Sequence, residues 1–228
     1  MRTAGSVRHA VPRPAPAWRD EGAYAEALRR GRGPLFLRRA DGWLLPLEVE
    51  RWCAEADAAD MTVLRRCTGS VLDIGCGPGR LVAALGALGT PALGIDVSPV
   101  AVARTVGSGG SALCSSVFDT LPGEGRWGTA LLVDGNIGIG GDPAELLDRV
   151  ARLVRTDGVL LVEASPLDLD ERVQVRVDDG RGGSTRGTAF PWARVGVPAL
   201  RGYAGAGGWT AAGEWTASGR VFMALRRG

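Results

Sequence analysis

From Val71 onward, short apolar runs alternate with segments of helical period. The runs lie in "SVLDIG", "PALGID", "SALCSSV", "GTALLVDG" and "GVLLVEAS". Between them, "RLVAALGAL", "SPVAVARTV" and "DPAELLDRVARLVR" carry apolar residues three and four apart. Runs that are apolar throughout and alternate with amphipathic helices predict a parallel sheet covered on both faces. Asp142 and Pro143 mark the start of the last of these helices. Gly158, in "RTDG", is expected to close it in the left-handed conformation.

The two ends follow other patterns. Residues 1 to about 20 are rich in Pro and Arg and are expected to form a disordered tail. "EGAYAEALRRG" predicts a short helix stopped at Gly31. "PLFLRRADGWLLPLEVERW" predicts a hairpin around Asp41 and Gly42, then a helix from about Leu47, and "AADMTVLRRC" continues helical to Cys67. Residues 21–68 therefore read as an N-terminal helical cap ahead of a core domain over 69–228. Within that domain "RVQVRVDDGRGGSTRGTAF" alternates with period two around a glycine-rich turn, which predicts a β-hairpin insert over 172–190. "PWARVGVPALRGYAGAGG" reads as a weak helix, and "WTAAGEWTASGRVFMALRR" as two antiparallel strands turning near Ser218 and Gly219.

Composition narrows the classes. The chain has 228 residues, 45% hydrophobic and 23% charged, which suits a globular domain with a core. A formal net charge of +2 argues for neither a nucleic-acid nor a membrane partner. Every basic residue is Arg, so Lys chemistry such as a Schiff base is excluded. Cys53, Cys67, Cys76 and Cys114 form no C-x-x-C pair, which points away from structural zinc and disulfides and toward a reducing cytoplasm. No apolar run approaches the ~20 residues that span a bilayer.

The stretch "VLDIGCGPGR" carries the first chemical signal. A buried strand ends on Asp73 and turns through Gly75, Gly77 and Gly79 before a helix begins. Glycines there let a ligand approach the main chain closely. A dinucleotide fingerprint would space them G-x-G-x-x-G, but here Arg80 stands where its third glycine belongs. Asp96 follows the turn by about twenty residues, where an acid can accept both hydroxyls of a ribose.

These segments, with "GIDVS", "SSVFDTLP", "LLVDGNIG" and "LVRTDGVLLVEAS", resemble the ordered motifs of class I S-adenosylmethionine-dependent methyltransferases. The resemblance is close over about Val71 to Ser165, and the last strand pair extends it to the C-terminus. It implies an α/β fold, a doubly wound, mostly parallel Rossmann-like sheet of seven strands with an antiparallel last strand. It further implies S-adenosyl-L-methionine as cofactor. Asp73, Gly75, Cys76, Gly77 and Gly79 resemble the loop under the methionine half, Asp96 the ribose acid, and Val97 the residue packed on adenine. Many relatives carry an acid after the third strand; Ser116 and Val117 occupy that place here, and Asp119 comes late. Asp134, Gly135 and Asn136 stand where the family flanks the methionine amine and the transferred methyl.

Methyl transfer from a sulfonium is an in-line displacement that depends on alignment and exclusion of water; it requires no metal. His9 is the only histidine and falls in the expected tail. Asp134 and Glu163 end neighbouring strands on the edge where open α/β sheets bind ligands, so both are candidate catalytic carboxylates; Glu163 could orient or deprotonate an acceptor, or else be a buried structural acid. Asn136 is a candidate to position an acceptor, or else a turn residue. Trp43, Trp52, Trp192 and Phe190 could line a substrate pocket or fill the core. The loop "DGNIGIGGD" lacks the N-P-P-Y or D-P-P-Y pattern of many enzymes that methylate nucleic-acid or protein amines, and with no basic stripe a small-molecule acceptor is favoured. An NAD(P)-dependent oxidoreductase and a non-catalytic binder of the cofactor remain alternatives, and the oligomeric state is open.

Overall fold

The computed structural model describes residues 17–19, 22–181 and 187–228. The expected tail and His9 fall largely outside them, as does the tip of the insert. In chain order the elements are α1 (Ala23–Arg30), β1 (Phe36–Arg39), β2 (Leu44–Pro46), α2 (Val49–Cys53), α3 (Ala58–Leu64), β3 (Val71–Ile74), α4 (Arg80–Ala87), β4 (Ala92–Asp96), α5 (Pro99–Gly107) and β5 (Ala112–Cys114). Then follow β6 (Trp127–Leu132), α6 (Pro143–Leu153), β7 (Val154–Ala164), β8 (Asp170–Asp178), β9 (Phe190–Val195), α7 (Val197–Ala206), β10 (Trp209–Ala217) and β11 (Arg220–Arg227).

Seven strands form one sheet in the order β10-β11-β7-β6-β3-β4-β5. The five from β5 to β7 are parallel, and β11 joins β7 antiparallel. Strand polarity explains why these segments are apolar throughout. In β3, Leu72 and Ile74 pack with α6 residues Leu146, Leu147 and Val150 on one face. Val71, pointing the opposite way in the pleat, packs with Leu81 and Leu85 of α4 on the other. A strand buried on both faces cannot show polar alternation. The helix starts are capped as their sequences dictate: Asp142 accepts from the amides of Ala144 at 3.0 Å and Glu145 at 3.2 Å. Ser98 accepts from Ala101 N at 3.4 Å.

The end of α6 differs from expectation. The helix stops at Leu153, and Val154 is already extended. Val154 pairs with Trp127 and Val159 with Thr129, so "RTDG" loops out as a bulge inside β7 instead of capping the helix. Strand pairing thus overrides the glycine stop signal, and Gly158 is not in the left-handed region. Likewise "PWARV" belongs to β9, and only the residues from Val197 are helical.

A second, four-stranded antiparallel sheet has the order β2-β1-β8-β9. The segment over 21–68 is therefore not helical alone. Its hairpin pairs with the insert, Leu37 opposite Val177 and Arg38 opposite Arg176. The insert begins earlier than residue 172, since β8 starts at Asp170, and Ser165 bridges to Gly196. Trp18, in the stretch expected to be tail, packs on Tyr24 at 4.9 Å, Phe190 at 5.3 Å and Trp192 at 6.0 Å between ring centroids. These aromatic contacts join the N-terminal segment to the insert.

Candidate cofactor site

The residues singled out in the sequence gather along the C-terminal edge of the parallel strands. After β3 the chain turns through Gly75, Gly77 and Gly79, all with positive φ. Each is strained for a residue with a side chain, and two are closed to one by packing. A Cβ on Gly75 would lie 2.6 Å from Asn136 Nδ2, and one on Gly79 would lie 2.5 Å from Thr105 Oγ1. Gly75 N and Cys76 N both donate to Ile95 O, at 2.8 and 3.0 Å, which ties the turn to the end of β4. The Cys76 thiol is buried against Gly94 and donates to Gly77 O at 3.6 Å. Thr105 Oγ1 donates to Gly77 O at 3.1 Å.

Asp96 sits directly across from this turn. One carboxylate oxygen accepts from Gly77 N at 2.9 Å, the other from Ser98 N at 2.8 Å. Burial raises its pKa, and these amide bonds oppose the rise. Val97 follows, half-buried. Ser115 N donates to Asp96 O at 3.0 Å, which brings Ser116 and Val117 alongside. Val117 is 3% exposed and part of the core, and its carbonyl accepts from Arg149 at 2.8 Å. The late acid Asp119 folds back to accept from Ser116 N at 2.9 Å, so a carboxylate does stand beside Ser116 although the sequence spacing is wrong for it.

On the other side of the turn, Asp134 ends the run after β6 with a φ of +59°, an uncommon conformation for a non-glycine residue, and Gly135 follows at +80°. Asn136 Nδ2 donates to Ile74 O at 2.9 Å and Gly75 O at 3.0 Å, so it braces the glycine turn from beneath. Asp134 and Glu163 are neighbours, as expected, with Asp134 N donating to Glu163 Oε2 at 2.7 Å.

What sequence reasoning missed is the set of groups that hold these acids. Arg80, the first residue of α4, grips Asp60 of α3 with two bonds of 2.8 Å and reaches Asp134 at 2.6 Å. Arg220, at the start of β11, grips Glu163 at 2.9 and 2.7 Å and Asp60 at 2.7 Å. Arg51 of α2 adds a contact to Asp134 at 3.1 Å. Three guanidinium groups thus face three carboxylates. Asp60 is fully buried; burial alone would raise its pKa, but the two arginines outweigh it and hold it well below the usual carboxylate range. Asp57 and Asp60 also cap α3 reciprocally, and that D-x-x-D spacing was the one local signal in the sequence. Tyr24 of α1 completes the surroundings: it is buried, and its hydroxyl would stand 3.9 Å from a Cβ on Gly77.

Asp73 is only 2% exposed, and its Oδ2 has no hydrogen-bond partner among the described residues. Burial pushes its pKa up to about 7; nearby Arg80 opposes the rise, and the charges of Asp134, Asp96 and Asp60 add to it. A buried acceptor without a donor, beside main chain that only glycine can form, fits a cationic group arriving with a ligand. The ammonium of an S-adenosylmethionine amino-acid end meets that requirement, and Asp96 fits its ribose. A surface depression of about 400 Å³ at the opposite edge of the sheet, lined by Ser70, Pro91, Leu93 and Trp127, includes none of these residues.

Sheet order, glycine turn and acid after the second parallel strand together define a class I methyltransferase fold. The chain belongs to the methyltransferase-domain family, whose model matches residues 48–192. That match begins in α2 and runs through the insert, beyond the segments whose motifs carried the resemblance. No curated protein matches the sequence. Among solved structures, the chain is similar to a SAM-dependent methyltransferase from Bacteroides fragilis in complex with S-adenosyl-L-homocysteine, at 23% identity and a TM-score of 0.72, covering 93% of this chain and 95% of that one. It is also similar to 1,6-didemethyltoxoflavin-N1-methyltransferase from Burkholderia thailandensis, bound to 1,6-didemethyltoxoflavin and S-adenosylhomocysteine, at 18% identity, TM-score 0.56 and coverages of 75% and 77%. A third is magnesium protoporphyrin IX methyltransferase from Synechocystis PCC 6803 with bound SAM, at 16% identity, TM-score 0.52 and coverages of 74% and 78%. At these identities the likeness concerns the fold. The oxidoreductase and the non-catalytic binder are not favoured. Among the described residues, no helix is long and apolar enough to cross a membrane.

Proposed function

We propose that this enzyme transfers a methyl group from S-adenosylmethionine to a small-molecule acceptor by in-line displacement. The observation that carries the reading is the pairing of a turn with positive φ at Gly75, Gly77 and Gly79 with the Asp96 carboxylate across from it. When bound, the cofactor supplies an electrophilic methyl on a sulfonium. The turn and Asp73 hold its amino-acid end, Asp96 the ribose, and Val97, Ser116 and Val117 flank the adenine side. The small-molecule assignment draws on the modest net charge of +2, the absence of an amine-methylating N-P-P-Y pattern, and the Burkholderia neighbour's bound heteroaromatic compound. The four free cysteines suit a reducing cytoplasm.

The carboxylates do a different job from proton abstraction. Every oxygen of Asp134 and Glu163 is engaged by a guanidinium, and Glu163 also takes the Asp134 amide. We assign Asp134 and Glu163 as positioning residues that fix the strand ends, and Asn136 as the brace of the turn. Rate then comes from alignment and dryness: the acceptor's nucleophile forms its bond to the methyl carbon as the carbon–sulfur bond breaks, and its proton leaves to solvent. A thermal-shift series tests the reading. S-adenosylhomocysteine should raise the melting temperature of the full chain while NAD(P)H leaves it unchanged; the reverse pattern would return the oxidoreductase.

A further inference from the structure

Among the described residues, the buried side-chain atoms without a hydrogen-bond partner are Arg51 Nη1, Trp52 Nε1 and Asp73 Oδ2. Two of these belong to neighbouring strand ends, those of β3 and β6. Asp73 closes β3, and Arg51 reaches Asp134, after the neighbouring β6, through its other terminal nitrogen. A buried donor left unpaired costs free energy that a folded chain rarely leaves uncompensated unless a ligand completes the bond. Here the pair is a cationic donor and an anionic acceptor, so the complement is a zwitterion. Charge selects the same answer. Arg51, Arg80 and Arg220 already balance Asp60, Asp134 and Glu163. With the buried Asp73 carboxylate beside that balanced cluster, a zwitterion adds no net charge, whereas a phosphate dianion would add negative charge next to an acid already there.

Resting on the cofactor reading above, we propose that Arg51 Nη1 receives the carboxylate of the cofactor's amino-acid end. Arg51 stands outside the glycine motif. It is carried on α2, packed beside α1, while Asp73 and Asp134 belong to the sheet. The amino-acid end, and not the nucleoside, therefore joins the N-terminal cap to the strand edge. The nucleoside is held by sheet-borne groups alone, the turn and Asp96.

Calorimetric titration of the full chain with S-adenosylhomocysteine and with 5′-methylthioadenosine separates the two halves, because the second ligand has the same nucleoside and no amino acid. Arg51→Gln should weaken S-adenosylhomocysteine by about tenfold or more, the scale of one charge-assisted hydrogen bond, and leave methylthioadenosine within about twofold. Arg51→Lys should recover part of the loss. Hydrogen exchange in residues 49–53 should slow with S-adenosylhomocysteine and not with methylthioadenosine. If Arg51→Gln weakens both ligands equally, or neither, the assignment is overturned while the cofactor reading stands. If the wild-type chain binds neither ligand, the cofactor reading falls and takes the assignment with it. Retained methylthioadenosine binding also reports that the variant is folded.

Discussion

The glycine turn and the charge cluster meet at one edge of one sheet, but they are assembled in opposite ways. The turn is local: a single run from Asp73 to Arg80 sets its own backbone, and its amides bond to the adjacent strand β4, with Thr105 and Asn136 bracing two of its carbonyls. The cluster is non-local. Arg51, Asp60, Arg80, Asp134, Glu163 and Arg220 come from six separate stretches of chain, the farthest pair bonded being Arg220 and Asp60. The turn is built from main chain, its glycines packed closely by Asn136 and Thr105. The cluster spends nearly all its polar atoms on itself, and its product is a fixed geometry around the strand ends. Arg80 belongs to both. A cation at the first position of a helix opposes the helix dipole, and Asp60 and Asp134 offset that cost.

Perturbing each region should therefore have different consequences. The largest effect is expected from the cluster. Asp60→Ala strands two buried guanidinium groups, and breaking buried pairs of this kind costs about 3–5 kcal/mol. Urea denaturation should show a loss of that size, with ligand affinity falling only as the fold does. A loss below about 1 kcal/mol would mean that the cluster contributes little to holding α3 on the sheet.

Asp73 is next, and its effect depends on pH. Its folded pKa of about 7 lies above that of a carboxyl in an unfolded chain, ~3.9. The folded state thus binds the proton more tightly. Stability contributed by this group is full below about pH 4 and is lost as pH rises through about 7. Asp73→Asn, which cannot ionise, should be more stable than wild type at pH 8 by at most about 4 kcal/mol and equal to it at pH 4. It should also bind S-adenosylhomocysteine more weakly. Parallel pH–stability curves for the two proteins would contradict the burial of a chargeable group at the end of β3.

Gly75→Ala should be somewhat milder in stability but more severe in function. Its Cβ must displace Asn136 and its φ is +75°, a combined cost of about 2–3 kcal/mol. Asn136 would lose its hold on Ile74 O and Gly75 O, so cofactor affinity should fall more than Asp60→Ala lowers it at equal residual fold. Double substitution with Asn136→Gly, which opens the space, should recover part of the stability and sharpen the assignment of Asn136 as a brace.

The same contrast explains what could be read from the chain before its structure was known. The alternation of strands and helices from Val71, the caps at Ser98 and Asp142, and the turn itself are encoded within a few residues, and the pattern exposes them. Asp96 was legible because its distance from the turn is set by one helix and one strand. The pairing of β1 with β8 depends on segments more than a hundred residues apart, and nothing local in "LFLRR" names its partner. Arginine in "GPGR" reads as a helix-surface residue until Asp60 and Asp134 are brought to it. Asp119 shows a smaller form of the same problem: its spacing is late, and only a backward fold brings its carboxylate to Ser116. Gly158 failed in the other direction, since a strong local stop signal yielded to a strand pair.

The nucleoside end is where the account is most directly exposed. Calorimetry with S-adenosylhomocysteine on the wild-type chain and on Asp96→Asn measures it without any acceptor. Saturable one-to-one uptake by the wild type, weakened about tenfold or more by the substitution, is the expected result, since a neutral amide accepts the ribose hydroxyls poorly. Equal affinity in the two proteins, or no uptake by wild-type protein that melts cooperatively, would contradict it.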